Sequence, residues 1–414
     1  MYKKLTAVDD LRLGMYVIEL DRPWVGTPFE FQGFHLVSHE QIESLRRYCK
    51  HVYVDPDREQ VSGERRRTAL ARPGPTLYTG AKPVENELAM ASVTFEACKE
   101  AIRESLESLR REAKMDTAKL AAASMDMTES MQRNPNAMLL LNSLHTKSSY
   151  ELRRAVDSAV LMIAFGRFLQ FSKDRLEVLG LAGMLLDVGK TRLPSEVLEK
   201  RGTLTADEYS MMKSHVMHSV ELVRAANGGL PPGIDDIILQ HHERQDGSGY
   251  PNGLRGSEIS MEGAIAGIAD SFSALTSERP FAEPISPSSA LNQLHATRAS
   301  FHEALVEQFI QCIGIYPVGS AVEMNSGEVG VVMAQNTVRR LLPRVMLVLD
   351  AAWNPLPPPQ VILDLMRDPK TGTGEPYRIR RTLPMERLPI DPNDFFLPWF
   401  RSEQGTRVNG DRKN

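Results

Sequence analysis

The residues best suited to chemistry lie in "HHERQDGSGYPNGLRG", residues 241–256, where two adjacent histidines precede an acidic, glycine-rich segment. Neutral imidazole is the commonest transition-metal ligand among side chains. On one helix, however, the side chains of His241 and His242 would diverge by about 100°. These two histidines could therefore hold a metal ion only if other elements supplied the remaining ligands.

Three other residues could supply those ligands. Asp187 follows the apolar run "LAGMLL", His215 stands in "MMKSHVMHS", and Asp270 interrupts the apolar run "AGIADSFSAL". A carboxylate on a buried helix is costly unless it is paired with a cation or bound to a metal. A carboxylate beside several imidazoles suits Fe, Mn or Zn better than Mg or Ca.

Each of these residues also has a purely structural interpretation. Asp187 and Lys190 could form an ion pair three residues apart near a helix end. Asp270 could be an N-cap or a member of an internal salt bridge, and a lone histidine such as His215 or His218 is more often a satisfied core or surface residue. The residue types alone leave both interpretations open.

The elements that must position these residues are helices. From about residue 85 to residue 312, apolar residues recur three and four positions apart, which predicts an all-helical main domain. The segment "DGSGYPNGLRG" must instead be a loop, because helix interiors penalise glycine by about 1 kcal/mol and proline by about 3 kcal/mol.

Smaller modules are predicted on both sides of the helices. Residues 11–54 combine β-branched and aromatic clusters with one helical stretch, "SHEQIESLRRYC", which Ser38 could cap. After Tyr316, two β-like runs flank "NSGE" and predict a hairpin with Gly327 in the turn. The predicted fold is therefore mainly α, with a small N-terminal α+β module and a small β-rich C-terminal module.

Composition and charge exclude several classes of protein. The net charge of 49 minus 53, or -4, gives no electrostatic argument for binding a nucleic acid polymer. The three cysteines form no CxxC pair, which fits a reducing cytoplasm. The chain begins without the apolar stretch of a signal peptide, and no later apolar run is long enough for a membrane span. We therefore expect a cytoplasmic protein.

Together these segments resemble the HD-GYP family of metal-dependent phosphohydrolases, whose characterised members hydrolyse the bacterial second messenger cyclic di-GMP. Residues 241–256 match the family motif HHExxDGxGYPxGLxG completely, and that motif is long and specific. The resemblance implies a helical HD-domain bundle. The expected segments are an N-terminal α+β module (1–58), a linker (59–84), a helical connector (85–139), an HD-GYP-like domain (140–312), a β-rich module (313–400) and a disordered tail (401–414).

The resemblance also assigns roles to individual residues. It implies a metal site whose ligands in this sequence are Asp187, His215, His241, His242 and Asp270. It makes Asp187 and Lys190 the catalytic residues, and Lys190 and Arg279 the residues that contact the phosphates of cyclic di-GMP. The intact loop "DGSGYPNGLRG", residues 246–256 and named the GYP loop, suggests diguanylate cyclases as protein partners, and the resemblance is compatible with a homodimer.

Two departures from the family pattern affect the expected activity. Arg154 and Leu186 stand where the family has histidines that bind one of its two metal ions together with two aspartates. That position keeps only Asp187 and Asp270, which is too few ligands for a transition metal, and the charge of Arg154 would repel a cation. We therefore expect one Fe, Mn or Zn ion per chain and impaired phosphodiesterase activity. The alternative is an active metal-dependent phosphodiesterase acting on cyclic di-GMP.

Overall fold

A computed structural model describes residues 4–21, 34–36, 39–55, 78, 82–112, 115–144, 149–226, 230–277, 283–336, 339–383, 385, 388–391 and 395. The chain divides into two compact units, Met1–Pro73 and Gly74–Asn414. Within the described part of the chain, no helix combines the length and the apolar character needed to cross a lipid bilayer.

The N-terminal unit is a small antiparallel sheet with one helix. Its elements are β1 (Lys4–Ala7), β2 (Tyr16–Leu20), β3 (Phe34–His35), α1 (His39–Tyr48) and β4 (His51–Asp55). The strand order is β1-β4-β2-β3, and Val17, Leu36, Leu45 and Val52 are buried in its core. The α+β module predicted from the sequence is confirmed, with β1 as an additional strand; Ser38 lies outside the described residues.

Twelve helices are described in the second unit. They are α2 (Val84–Glu112), α3 (Thr117–Arg133), α4 (Pro135–Leu144), α5 (Tyr150–Phe168), α6 (Lys173–Leu185), α7 (Ser195–Leu198), α8 (Ala206–Lys213), α9 (His215–Ala225), α10 (Ile234–Gln240), α11 (Met261–Thr276), α12 (Pro287–Ala296) and α13 (Glu303–Ile313). A short 3-10 turn, Val188–Arg192, follows α6. This unit supplies the helical bundle that the sequence pattern predicts.

Helix α5 lies at the centre of the bundle and packs against α2, α3, α4, α6 and α11. It begins after Ser149, whose hydroxyl accepts the backbone N–H of Leu152 at 3.4 Å. Gly183 allows α6 to approach closely, because a Cβ atom there would lie 2.6 Å from the Cα atom of Ala159. Of the 19 residues of α5, 14 are buried, so a charged side chain on this helix needs a partner inside the protein.

The C-terminal part of this unit is a second antiparallel sheet, with strand order β8-β7-β6-β5-β9. Its strands are β5 (Ala321–Met324), β6 (Val329–Ala334), β7 (Arg344–Leu349), β8 (Ile362–Asp364) and β9 (Ile379–Leu383). Strands β5 and β6 form the predicted hairpin, with Gly327 at φ 96° in the turn. Val331 packs into the helical core, whereas its neighbour Val332 faces a separate cluster, as strand alternation requires. The mainly α fold class is confirmed.

Candidate metal centre

Four of the predicted ligands come together in the bundle. Asp187, His215, His241 and His242 each offer a ligand atom, and these four atoms lie within 4.8 Å of one another. They come from three separate places: the end of α6, the start of α9 and the end of α10. A single ion could contact all four donor atoms after small side-chain movements.

The approach of Asp187 to His215 depends on a close packing of backbone segments. Asp187 precedes the 3-10 turn, and a Cβ atom at Gly189 would lie only 2.1 Å from the carbonyl oxygen of His215. Ser219 ties the two segments together: its hydroxyl accepts the N–H of Gly189 at 2.8 Å and donates to the carbonyl oxygen of Leu186 at 2.9 Å. As a result, Asp187 Oδ1 lies 3.3 Å from His215 Nε2.

The two adjacent histidines converge, although the same residues on a continuous helix would point apart. Helix α10 ends at Gln240, and the rings of His241 and His242 lie in the turn that follows, with their centroids 4.0 Å apart. Gly267 of α11 lets this turn approach, since a Cβ atom there would be 2.8 Å from the carbonyl oxygen of His241. The ring of His242 also stacks on Tyr250, with centroids 4.6 Å apart.

The hydrogen bonds of the buried histidines orient them as ligands. The Nδ1 atoms of His215 and His241 each lie 2.6 Å from a backbone carbonyl oxygen, those of Met212 and Ile238 respectively. Donation from Nδ1 leaves the lone pair on Nε2, the usual arrangement of a metal-binding histidine. Both Nε2 atoms and Asp187 Oδ1 are buried without a hydrogen-bond partner. Three imidazole nitrogens and one carboxylate oxygen fit a transition metal ion.

The protonation states in this cluster also suit a cation. Burial lowers the pKa of His241 to about 4, and burial together with repulsion from His241 and His215 holds the pKa of His242 well below its usual range. Burial opposes ionisation of Asp187, but the positive charges of Lys190 and Arg154 favour it, and the pKa of Asp187 lies well below its usual range. At neutral pH, His241 and His242 are neutral and Asp187 is charged.

Asp270, the fifth predicted ligand, is held by Arg154. The guanidinium of Arg154, whose residue is only 3% exposed, forms an ion pair with the Asp270 carboxylate. Arg154 Nη1 donates a further hydrogen bond of 3.1 Å to the Asp270 carbonyl oxygen, and Arg154 Nε lies 4.0 Å from Asp187 Oδ2. Burial disfavours the charged guanidinium, but Asp270 and Asp187 outweigh this effect and raise the pKa of Arg154.

Three further residues singled out from the sequence are Lys190, Leu186 and Arg279. Lys190 Nζ lies 2.7 Å from Asp187 Oδ2, so the ion pair considered from the sequence exists, and Lys190 also lines the cavity in front of the cluster. Burial lowers and Asp187 raises the pKa of Lys190, with a net upward shift. Leu186 is buried in the apolar core beside Asp187. Arg279 lies outside the described residues.

An open cavity of about 1230 Å³ lies in front of the metal cluster, the group of proposed ligand residues formed by Asp187, His215, His241 and His242. It is larger than the roughly 300–1,000 Å³ of pockets for drug-sized ligands. His215, His242, Lys190 and Arg154 form part of its wall, and Tyr250 of the GYP loop forms another part. The cavity therefore has room for a phosphorylated ligand that reaches the metal cluster with one end.

Glu243 has a role that the sequence analysis did not assign. It is buried, and its carboxylate accepts the backbone N–H groups of Asn252 at 2.7 Å and Leu254 at 2.9 Å. These bonds bring the GYP loop against the backbone that precedes it. Gly249 allows this approach, because a Cβ atom there would lie 2.4 Å from the backbone nitrogen of Arg244. The signal in the sequence was an acidic residue between the histidine pair and a loop with unpaired N–H groups.

Two protein families match this chain. Residues 136–303 match the HD domain, which contains the four-residue cluster, and residues 3–120 match a domain of unknown function, DUF3391. Among solved structures, Bd1817, an HDGYP protein from Bdellovibrio bacteriovorus, is 15% identical and aligns with a TM-score of 0.46 over 75% of this chain and 99% of its own.

Relatives with assigned activities match as well. The cyclic di-GMP phosphodiesterase PA4108 of Pseudomonas aeruginosa is 32% identical over 89% of this chain and 90% of its own length. The response regulator RpfG of Xanthomonas campestris, also named a cyclic di-GMP phosphodiesterase, is 41% identical over 31% of this chain and 34% of its own. This similarity along nearly the whole chain, the HD domain match and the complete GYP motif show that the chain belongs to the HD-GYP family of HD-domain proteins.

Proposed function

We propose that this chain is a cyclic di-GMP signalling protein of the HD-GYP family that holds one transition metal ion and has impaired phosphodiesterase activity. The observation that carries the proposal is the buried ion pair between Arg154 and Asp270. Two relatives named as cyclic di-GMP phosphodiesterases support the choice of ligand. The large cavity in front of the cluster supports binding of a molecule of this size.

The proposed site for Fe, Mn or Zn consists of Asp187, His215, His241 and His242. A bound ion supplies positive charge to phosphoryl oxygens and lowers the pKa of a water molecule, and family members with two ions combine these effects. In this chain the guanidinium of Arg154 already neutralises Asp270. A second cation at Asp270 would have to displace this guanidinium and overcome its charge, with Leu186 offering no ligand atom.

The chain's own residues would bind the ligand. Lys190 and Arg154 present positive charge to a phosphodiester at the inner end of the cavity, and Arg279 is proposed as a further phosphate contact. The Tyr250 ring, held against His242, closes one side of the site. In this arrangement the ligand is held and oriented while water activation is weak, which suits nucleotide or metal sensing better than turnover.

Signalling would then depend on protein contacts. The GYP loop donates two backbone N–H groups to the Glu243 carboxylate and is the candidate contact for diguanylate cyclases. A protein that does not destroy its ligand can report the ligand's presence by changing such a contact, because binding shifts the population of conformations. We propose a cytoplasmic location on the cysteine usage, which fits a reducing compartment, and a homodimer on the family resemblance.

The competing function is an active phosphodiesterase that hydrolyses cyclic di-GMP with one ion. The specific observation in its favour is that the four proposed ligand residues lie together, and that two of them, His215 and His242, line the cavity with Lys190. Single-ion hydrolysis is chemically feasible, since one metal can both polarise a phosphoryl oxygen and activate water. The two functions differ in the rate at which cyclic di-GMP is hydrolysed.

One experiment separates them. The purified full chain is analysed for Fe, Mn and Zn per chain and assayed for cyclic di-GMP hydrolysis beside the Pseudomonas aeruginosa relative. We expect about one ion per chain, saturable binding of cyclic di-GMP, and hydrolysis slower than that of the relative by about a hundredfold or more. Turnover equal to that of the relative, with either one or two ions per chain, would refute the proposal.

A further inference from the structure

We propose that the region matched by DUF3391 completes the ligand site of the HD domain. In this proposal, a cyclic dinucleotide places one phosphodiester at the metal cluster, and Arg110 of α2 binds the other phosphodiester, which lies away from the cluster. This inference rests on the proposed function. It assigns to a domain of unknown function a direct contact with the ligand. Helix α2 lies inside the matched range 3–120, whereas the metal cluster lies inside the HD domain range 136–303.

The position of Arg110 supports the assignment. It lies in the last turn of α2 and lines the same cavity as Lys190 and Arg154. Its Nη2 atom lies 2.7 Å from Oε2 of Glu151, which belongs to the first turn of α5. Arg154 follows Glu151 by one helical turn, so α5 connects the rim of the cavity, at Arg110, to the metal cluster.

The positions of the lysine and arginine side chains that line the cavity indicate where an anionic ligand group would bind. A cyclic dinucleotide carries two phosphodiester groups, each with one negative charge. Among the described residues that line this cavity, the lysine and arginine side chains are Arg110, Arg154 and Lys190, and the carboxylates are Glu151, Glu199 and Asp270. Arg154 is paired with Asp270, and Lys190 is paired with Asp187 of the metal cluster. Arg110 is the described lining cation away from that centre, so it is available to the second phosphodiester.

The partner of Arg110 can be exchanged for a ligand at small cost. The side chain of Arg110 is 45% exposed and that of Glu151 is 24% exposed. Ion pairs at this exposure contribute little to stability, because water screens both charges. A guanidinium can instead bind two phosphate oxygens at once, which is a stronger and more directional contact.

Glu151 makes the inference testable, because its negative charge repels the phosphate that Arg110 attracts. Its carboxylate lines the same wall as Arg110 and repels an incoming anion. In the free protein it holds the guanidinium at the rim. Removing the charge of Glu151 should therefore strengthen binding as long as Arg110 is present. Removing Arg110 should weaken binding whether or not Glu151 is charged.

The test measures the Kd of cyclic di-GMP for the full chain by calorimetry, once in EDTA and once with Mn²⁺. We expect Arg110→Ala to weaken binding by about fivefold or more in both conditions, and Arg110→Lys to weaken it by about twofold. Arg103→Ala is the matched control. Arg103 lies on the same helix, is 44% exposed, and pairs with Glu100 and Glu107. This control should bind as the parent does.

A double-mutant cycle distinguishes a direct contact between Arg110 and the ligand from an indirect effect in which Arg110 only neutralises Glu151. If Arg110 acted only by neutralising Glu151, the double variant Arg110→Ala with Glu151→Gln would bind as tightly as Glu151→Gln alone. The inference predicts that the double variant binds about fivefold more weakly than Glu151→Gln. The thermal midpoint of each ligand-free variant should stay within about 2 °C of the parent, since exposed ion pairs contribute little.

The outcomes are distinct. Weaker binding by both Arg110→Ala and the double variant, with Arg103→Ala unchanged, supports the contact. Parental binding by Arg110→Ala, or equal binding by the double variant and Glu151→Gln, overturns it and leaves the proposed function standing. A parent protein that does not bind cyclic di-GMP in either condition overturns both.

Discussion

The guanidinium of Arg154 and the carboxylate of Asp270 form a buried ion pair, and Arg154 Nη1 also donates a 3.1 Å hydrogen bond to the Asp270 carbonyl oxygen. The pair joins two helices at residues 116 positions apart in the sequence. It also explains why Asp270 stands outside the group formed by Asp187 and the three histidines. A tethered monovalent cation takes the place beside Asp270 where a second metal ion would need free ligand atoms.

Restoring the two missing histidines should add a metal ion. We expect Arg154→His with Leu186→His to raise the metal content from about one to about two ions per chain and to raise hydrolysis of cyclic di-GMP by about tenfold or more. The control combines Arg153→His with Leu186→His, because Arg153 points toward Asp157 rather than Asp270. Unchanged metal content and rate in the first variant would show that the second position is not where we place it.

Removing only one partner of the ion pair should strongly destabilise the folded protein. Arg154→Met leaves the Asp270 carboxylate buried and unpaired, and we expect the free energy of unfolding to fall by about 3–5 kcal/mol. Arg154→Met with Asp270→Leu should recover most of this loss, because no buried charge remains. Urea unfolding in EDTA measures both. A loss below about 1 kcal/mol for the single change would mean that Asp270 finds another partner.

Loss of a ligand histidine should remove the metal and the stability that depends on it. We expect His242→Ala to bind no Fe, Mn or Zn and to lose the metal-dependent rise in unfolding free energy, about 2.7 kcal/mol at a metal concentration of 100 times Kd. His218→Ala is the control, since His218 pairs with Glu221 outside the four-residue group. Metal content equal to the parent in His242→Ala would contradict the proposed ligand set.

Acid should destabilise the metal-free protein through His241. Burial lowers its pKa from 6.5 to about 4 in the folded state, so between these values the unfolded chain binds more protons than the folded chain. The stabilising contribution is present above pH 6.5 and is lost as pH falls toward 4. Between pH 7 and pH 5 we expect a loss of about 2 kcal/mol from this residue.

The measurement for His241 is urea unfolding in EDTA at pH 7 and pH 5, for the parent chain and for His241→Gln. The variant lacks the titrating group, so its stability should fall by about 2 kcal/mol less over this range. An equal pH dependence in both proteins would show that His241 is not held neutral by burial.

The packing at Gly189 should be required for metal affinity. A Cβ atom there would lie 2.1 Å from the His215 carbonyl oxygen, so Gly189→Ala must push the 3-10 turn away from α9 and separate Asp187 from His215. We expect a fall in metal affinity of about tenfold or more, measured by competition with a chelator. Gly372→Ala, with no neighbouring atom within 4 Å, should leave affinity unchanged. Parental affinity in Gly189→Ala would mean that the ligands adjust independently.

Local patterns were sufficient to predict much of the fold. Apolar spacing predicted the helices, and the "NSGE" segment predicted the hairpin around Gly327, because both signals depend on residues a few positions apart. Strand β1 was not predicted, since Lys4–Ala7 is short and owes its pairing to β4. All of the predicted domain boundaries stay predictions. Val331 of the C-terminal sheet packs in the same core as the helices, which no local signal reveals.

The sequence by itself determined which residue types are available to the candidate site: a complete GYP motif, five residues proposed as metal ligands, and two positions where histidine is absent. Only the tertiary structure decided how the charges pair. It joined Arg154 to Asp270 and Arg110 to Glu151, and it turned His241 and His242 toward each other at the end of α10. The reason is physical: residue types fix which interactions are available, but burial and distance select among them, and both depend on the packing of helices far apart in sequence.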